Sequence, residues 1–445
     1  MRYSPRFWVL AVTLPVVAIL LFLMLSGRPV TSAANQVVLV AGGDVEWSLN
    51  YRRPTVRYRV TDPRPYGDNV FGKTDVRDQV TGDWPPIPYV YQGESKAYLD
   101  GLHLKGPCED GSVGPCLSYP LPGQVAEGNF EQDYSSNLEI LGYPLKRLAP
   151  TFQAADLVFA NCEGALSDHG RKNGRNITPE KFANTIKASG ISIVNLANNH
   201  TFDAEETGFL DTIRSLDSVG IAHVGGGRDL TEARKPVIIV RNGIKLGFIS
   251  YTQFTNFGEL AFAADGRPGV APMDPFLIKE DIRKLRPQVN FVLVAIHWST
   301  SRGYEISPDN RKFAHDLIDA GADIILGHHP PHPKGIEVYH GKVILYAPSN
   351  ILRGHTRSDS DDGYLARFTL GPKLVEKIEV LPIAGKGQPE GHTGPYEARL
   401  FQPYIMQGAS AKKVLEGVRT RSAALGTQMQ IDGDKGVIAV LPASN

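Results

Sequence analysis

The sequence predicts an α/β fold in which apolar strands, buried on both faces, are covered by helices. Three observations carry this expectation. From Asp156 onward, short apolar runs alternate with longer segments of helical period. The helical segments are bounded by residues that start and stop helices. Five polar clusters each follow an apolar run, the arrangement expected where parallel strands end at a ligand site.

The elements follow in order. Val37–Val40 reads as a short buried strand running into Ala41-Gly42-Gly43-Asp44, and Leu157–Ala160 as the next. Pro179–Ala188 is a helix, with Thr178 as its N-cap and Pro179 in its first turn. Ile191–Leu196 is a strand, and Ala204–Val219 a helix closed by Gly220. Val237–Val240 and Lys245–Tyr251 are strands, Pro275–Leu285 a helix, and Asn290–Ile296 a continuous apolar strand. Ser307 caps a helix over Pro308–Ala320 that stops at Gly321, and Asp323–Leu326 is another buried strand. Ile336–Val338, Val343–Tyr346, Tyr364–Leu370 and Leu374–Leu381 read as antiparallel strands at the sheet edge. Domain organisation follows: a segment 1–35, a main domain 36–383, and a linker with C-terminal extension 384–445. The main domain carries an irregular insertion at about 50–135 without sustained period. The extension supplies a helix and a strand over Gly436–Leu441 whose docking the sequence does not place.

Arg2 and Arg6 precede an uncharged run of 19 residues, Phe7 to Leu25. As a helix that run nearly crosses a hydrocarbon core about 30 Å thick. The positive flank keeps the N-terminus inside and puts the body outside the cytoplasm. Ser32-Ala33-Ala34 offers small residues for signal peptidase. The segment reads as a retained single-pass transmembrane anchor in the cell membrane, the alternatives being a cleaved signal of a secreted protein and, least favoured, a buried helix of a soluble one. Cys108 and Cys116, in twin Gly-Pro-Cys turns, are expected to pair as a disulfide outside the cytoplasm, two free thiols being the alternative. Cys162, in an apolar stretch, reads as a small core residue. Lys plus Arg and Asp plus Glu number 47 each, so the formal net charge is zero and the balance gives no support to nucleic-acid binding.

The five clusters are Gly43-Asp44, Asn161-Cys162-Glu163, Asn198-Asn199-His200 with Asp203 beyond, His297-Trp298, and Gly327-His328-His329 with His332 beyond. Asp, Glu, Asn and His are the mixed O/N donors of borderline divalent metals such as Zn, Mn or Fe. Two such ions, bridged by a carboxylate, activate water and clamp a phosphate. Adjacent strands would bring the clusters together, with Asn161, Asn198 and His332 placed to meet substrate. Gly225-Gly226-Gly227 lacks phosphate-loop spacing and reads as a turn.

This ordered set resembles the motifs of the CapA family, which includes poly-γ-glutamate synthesis proteins. Val224-Gly225-Gly226-Gly227, Glu232-Ala233-Arg234-Lys235-Pro236 and the Tyr346…Asn350 stretch are also similar to the family pattern. The resemblance covers about residues 36–49 and 150–385. It implies a calcineurin-like, metallophosphatase-type fold: two mixed β-sheets packed as a sandwich with helices on the outer faces. It further implies divalent metal ions, two in number (Mn, Fe or Zn), on Asp44, Glu163, Asn199, His297, His328 and His329, with His200 facing substrate as the catalytic acid or a phosphate contact. Three positions depart from the pattern. Asp44-Val45-Glu46 lacks a His two residues after the Asp, Pro331 stands where a His is usual, and Ser349 stands where Gly usually precedes Asn350. The second departure moves His332 one step along and predicts that one of the two metal positions is weak.

The resemblance and the donor set together support three functional readings. One is an extracytoplasmic metal-dependent hydrolase acting on phosphoester or amide bonds of a cell-envelope polymer or its precursor. Another is a non-catalytic accessory of a membrane polymer synthase or export complex in capsule or poly-γ-glutamate assembly, partnered with synthase subunits. The third is a polysaccharide-binding module built on Trp84, Tyr89 and Tyr91 of the insertion.

Overall fold

The computed structural model describes residues 35–46, 104–105, 116–117, 143–169, 176–298, 303–353, 362–384 and 403–440. The N-terminal segment and the Cys108–Cys116 pairing lie outside the described residues. Among the described residues, no helix is long and apolar enough to cross a membrane.

The strands of the two main sheets are β1 Val37–Glu46, β2 Leu157–Cys162, β3 Ile193–Asn195, β4 Ala222–Val224, β5 Val237–Arg241, β6 Ile244–Thr252, β7 Phe291–His297 and β8 Ile324–His328. They continue with β9 Ile336–Tyr339, β10 Lys342–Leu345, β11 Asn350–Arg353, β12 Gly363–Leu370, β13 Val375–Ile383, β14 Gln430–Asp432 and β15 Lys435–Ala439. The longer helices are α1 Phe182–Ser189, α2 Glu205–Ser218, α3 Pro275–Leu285, α4 Pro308–Asp319 and α5 Gly408–Ala423.

Nine strands form the first sheet, in the order β14-β15-β13-β12-β1-β2-β3-β4, with β11 added on β1. The segment from β1 to β4 is parallel, while β12, β13 and β15 run antiparallel to their neighbours. Six strands form the second sheet, β5-β6-β7-β8-β10-β9, parallel from β6 through β10 and antiparallel at both edges. Both sheets are thus mixed.

Side-chain alternation puts Leu39, Ala41, Phe159 and Ile193 of the first sheet against Leu246, Phe248, Leu293 and Leu326 of the second. Phe159 and Phe248 stack across this interface at 5.8 Å. The opposite faces carry the helices: Val158, Ala160 and Val194 meet α1 and α2, and Val292, Val294 and Ile325 meet α3 and α4. Strands covered on both faces read as continuous apolar runs for this reason.

Several boundaries differ from the sequence expectation. Thr178 does not cap a helix. Ile177–Thr178 pairs as a short strand with Ala165–Leu166, and α1 begins only at Phe182. Ser307 does cap α4, accepting from Asn310 N at 3.1 Å. Val343–Leu345 pairs antiparallel with the edge strand β9 but lies beside β8 in parallel, and Tyr364–Leu370 is antiparallel to both its neighbours but lies in mid-sheet beside β1. Their buried neighbours on both sides explain their apolar character.

The C-terminal extension docks as part of the sandwich. β15 pairs with β13, and Leu415 and Val418 of α5, with Met429, Ile438 and Val440, enter the core between the sheets. Two hydroxyls pin the approach to β9: Ile336 N donates to Ser422 Oγ at 2.9 Å, and Val338 N to Thr427 Oγ1 at 2.7 Å.

Candidate metal centre

The carboxyl ends of β1, β2 and β3 in one sheet, and of β7 and β8 in the other, meet at one edge of the sandwich. Register places Asp44 beside Asn161, Asn161 beside Asn195, and His297 beside His328. Gly42-Gly43 makes the first cluster possible. A Cβ on Gly43 would lie 1.6 Å from Ser349 O, so only glycine lets the Ser349 turn cross β1 immediately before Asp44. The same register shift in β1 turns Asp44 toward β2.

Asp44 and Glu163 are both buried and share one partner: Asn161 Nδ2 donates to Asp44 Oδ1 at 2.8 Å and to Glu163 Oε2 at 2.5 Å. From the second sheet, His297 Nδ1 stands 3.8 Å from Glu163 Oε2, and His328 Nδ1 stands 3.6 Å from Asp44 Oδ1. His329 joins this group through a left-handed backbone at φ 93°, an uncommon conformation for a non-glycine residue. Its ring meets His297 at 5.0 Å and the edge of Phe254 at 4.9 Å. Donor atoms of Glu163, His297 and His329 all lie within 4.8 Å of one another. Pro331 and His332 follow a different path. Pro331 O accepts from Ser349 Oγ at 2.8 Å, and the His332 ring lies 5.1 Å from Tyr304.

The residues fit divalent ions on one decisive observation. His297 Nδ1 and both ring nitrogens of His328 are buried without a hydrogen-bond partner. Buried polar atoms are normally paired, and an ion between each Nδ1 and the carboxylate it faces at 3.6–3.8 Å would pair both. Burial, reinforced by His329, His328 and His200, holds the His297 imidazolium well below its ordinary range, so the ring is neutral and able to ligate. Its Nε2 lies 2.7 Å from Asn199 Oδ1, which fixes the ring and leaves Nδ1 toward Glu163. Asn199 thus meets the site through His297. Cys162 is not a candidate donor, because burial and then Glu163 push its thiol up to about 12.

His200 stands at the rim, partly exposed. Its Nδ1 lies 2.8 Å from Asp203 Oδ2, and Asp203 also accepts from Asn176 N at 2.5 Å. That contact orients the ring, and Asn256 Nδ2 approaches the same nitrogen at 3.2 Å. Asn198 is buried and spends its amide on the protein: it donates to Cys162 O at 2.7 Å and to Asn161 Oδ1 at 3.2 Å, and accepts from His200 N at 3.0 Å. Three residues not singled out by the sequence complete the site. Asn256 contacts both Asn199 and His200, Asn195 contacts Asn161, and Ser250 contacts Asn195. The readable signal was a polar residue inside each of two apolar strands, Asn195 in β3 and Ser250 in β6; Asn256, on an exposed loop, left none.

The bacterial capsule synthesis protein PGA_cap family matches residues 124–354, over half of the chain. The chain belongs to this family. It is 31% identical over 243 residues to the PGA biosynthesis protein CapA of Bacillus subtilis, covering 53% of this chain and 63% of that protein. It is 33% identical over 172 residues to a probable polyglutamine synthesis accessory protein of Mycobacterium tuberculosis, covering 35% of this chain and 44% of that protein. The chain thus spans less than two thirds of the length of these curated relatives. Among solved structures, the calcineurin-like phosphoesterase YfkN from Bacillus subtilis matches at 13% identity with a TM-score of 0.33, covering 64% of this chain and 90% of that one. The sulfate thiohydrolase SoxB of Thermus thermophilus matches at 12% identity with a TM-score of 0.37, covering 89% of this chain and 62% of that one.

Proposed function

We propose that this PGA_cap family chain is a membrane-anchored, extracytoplasmic protein of envelope-polymer synthesis whose strand-end site binds divalent ions and hydrolyses a phosphoester or amide bond of the polymer or its precursor. The observation that carries the reading is the pair of buried, unpaired nitrogens His297 Nδ1 and His328 Nδ1, each facing a buried carboxylate. The donors divide between Asp44 with His328 and Glu163 with His297 and His329, which supports two ion positions. Bound ions supply Lewis acidity and a nucleophilic water. His200, held at Nδ1 by Asp203, hands the Nε2 proton of its imidazolium form to the leaving group and is left as the neutral imidazole. The anchor assignment rests on Phe7–Leu25 and its basic flank.

Elemental analysis of the purified protein beside an Asp44→Ala/His297→Ala variant tests this. About two equivalents of Mn, Fe or Zn, lost in the variant, are expected. A screen of phosphoesters and γ-linked peptides then identifies the bond cleaved. A second reading, an accessory of a polymer synthase with a structural metal, is favoured by the relative named as an accessory protein and by His332 lying against Tyr304. About one equivalent of metal and no turnover would establish it. A folded protein without metal would sink the hydrolase.

A further inference from the structure

We propose that Asn161 is a positioning residue: one amide sets the two carboxylates of the metal centre, and its own orientation is fixed from the opposite sheet. This rests on the metal-centre reading above.

Asn161, the penultimate residue of β2, has no exposed surface. Its amide nitrogen has two hydrogens and spends both, on Asp44 Oδ1 at 2.8 Å and Glu163 Oε2 at 2.5 Å. Its oxygen accepts from Asn195 Nδ2 at 2.8 Å and Asn198 Nδ2 at 3.2 Å. All four hydrogen-bonding positions are filled by protein, so the side chain has none to give to an ion or a substrate. The orientation of the amide is forced. Turned over, its oxygen would face two carboxylate oxygens and its NH₂ would face two NH₂ groups.

Asn195 is held just as firmly. Its Oδ1 accepts from Ser250 Oγ at 2.5 Å and from Ala197 N at 2.7 Å. Ser250 belongs to β6, in the second sheet. A line of buried hydrogen bonds therefore runs Ser250–Asn195–Asn161 and ends on Asp44 and Glu163. It crosses the sandwich at the place where donors from the two sheets must meet. Two carboxylates bonded to one NH₂ are kept close despite their like charge, and their remaining oxygens are aimed before any ion arrives. Groups that hold metal ligands in this way typically change affinity by about 10–100-fold when removed.

Calorimetric titration with Mn²⁺ of the full chain, freed of metal with EDTA, tests the proposal in wild type, Asn161→Ala and Ser250→Ala. Asn161→Ala is expected to weaken binding by about 10–100-fold with the number of sites unchanged. Ser250→Ala, which touches neither carboxylate, is expected to show a smaller loss in the same direction. A packing role alone would lower the thermal midpoint of the metal-free protein and leave the dissociation constant where it was. If Asn161→Ala fails to fold, Ser250→Ala decides. Unchanged affinity in the folded variants overturns the positioning role while the metal centre stands. A wild type that binds no Mn²⁺ overturns both.

Discussion

Lys334, in the loop between β8 and β9, has no exposed surface and donates from Nζ to Gly303 O at 2.8 Å and to Glu305 O at 2.5 Å. These bonds pin the stretch carrying Tyr304, whose ring lies 5.1 Å from that of His332. Burial pushes the ammonium down to about 8, Glu305 opposing and Arg421 reinforcing the shift. The folded pKa lies below the ordinary 10.5, so between about pH 8 and 10.5 the unfolded chain binds more protons than the folded one. Stability contributed by this residue should rise across that window, by up to about 3 kcal/mol. Urea midpoints of wild type and Lys334→Met at pH 8 and pH 10 check it. The wild type should gain on the variant at the higher pH, and parallel behaviour would refute the assignment. At this scale the sequence was informative about kinds of residue and silent about their aim. Asp44, Glu163 and His297 stand out because polar residues close apolar runs. That Asn161 turns its amide between two carboxylates, or that His329 adopts φ 93°, depends on neighbours far along the chain.

The same division holds for the elements. Apolar runs located β1, β2, β3, β6, β7 and β8, because helices and the opposite sheet cover both faces of each, but not the short parallel strands β4 and β11. Thr178-Pro179 carries a strong helix-start signal, yet Ile177–Thr178 pairs with Ala165–Leu166, and tertiary pairing overrides local preference. Sheet order is not written in periodicity. The place of Tyr364–Leu370 beside β1, and of the C-terminal strand beside β13, therefore had to come from the structure. The docking of residues 403–440 has a testable consequence. α5 comes close enough to the β8–β9 loop that a Cβ on Gly335 would meet the Arg421 backbone at 2.7 Å. Leu415, Val418, Met429, Ile438 and Val440 are buried in the inter-sheet core. Losing each such side chain costs about 2–5 kcal/mol, against a typical total stability of about 5–15 kcal/mol. A chain ending at Ala384 should lack a cooperative thermal transition and bind a dye for exposed apolar surface. A truncated chain that melts cooperatively would show that the extension is an appendage.

Across the whole molecule, the donor set is divided between the layers. Asp44 lies near the end of β1 and Glu163 follows β2 in the nine-stranded sheet, while His297, His328 and His329 end or follow strands of the six-stranded one. Between the sheets lies a packed apolar interface, and at the strand ends the Ser250–Asn195–Asn161 hydrogen bonds link the two layers beside the donors. Ions held on the proposed donors would join the two sheets at that edge. Because the unfolded chain offers no such gathered set, binding adds to stability by mass action, about 2.7 kcal/mol at one hundred times the dissociation constant. The added stability should also be distributed in a way that a surface ion would not match. Hydrogen exchange with and without Mn²⁺ should slow together at Asp44–Glu46, Asn161–Glu163 and His297–Trp298, segments remote in sequence and divided between the sheets. The opposite edge, including β14, should be unaffected. Protection confined to one sheet would place the ion on that sheet alone, and the sandwich would then be a scaffold around the site instead of a part of it.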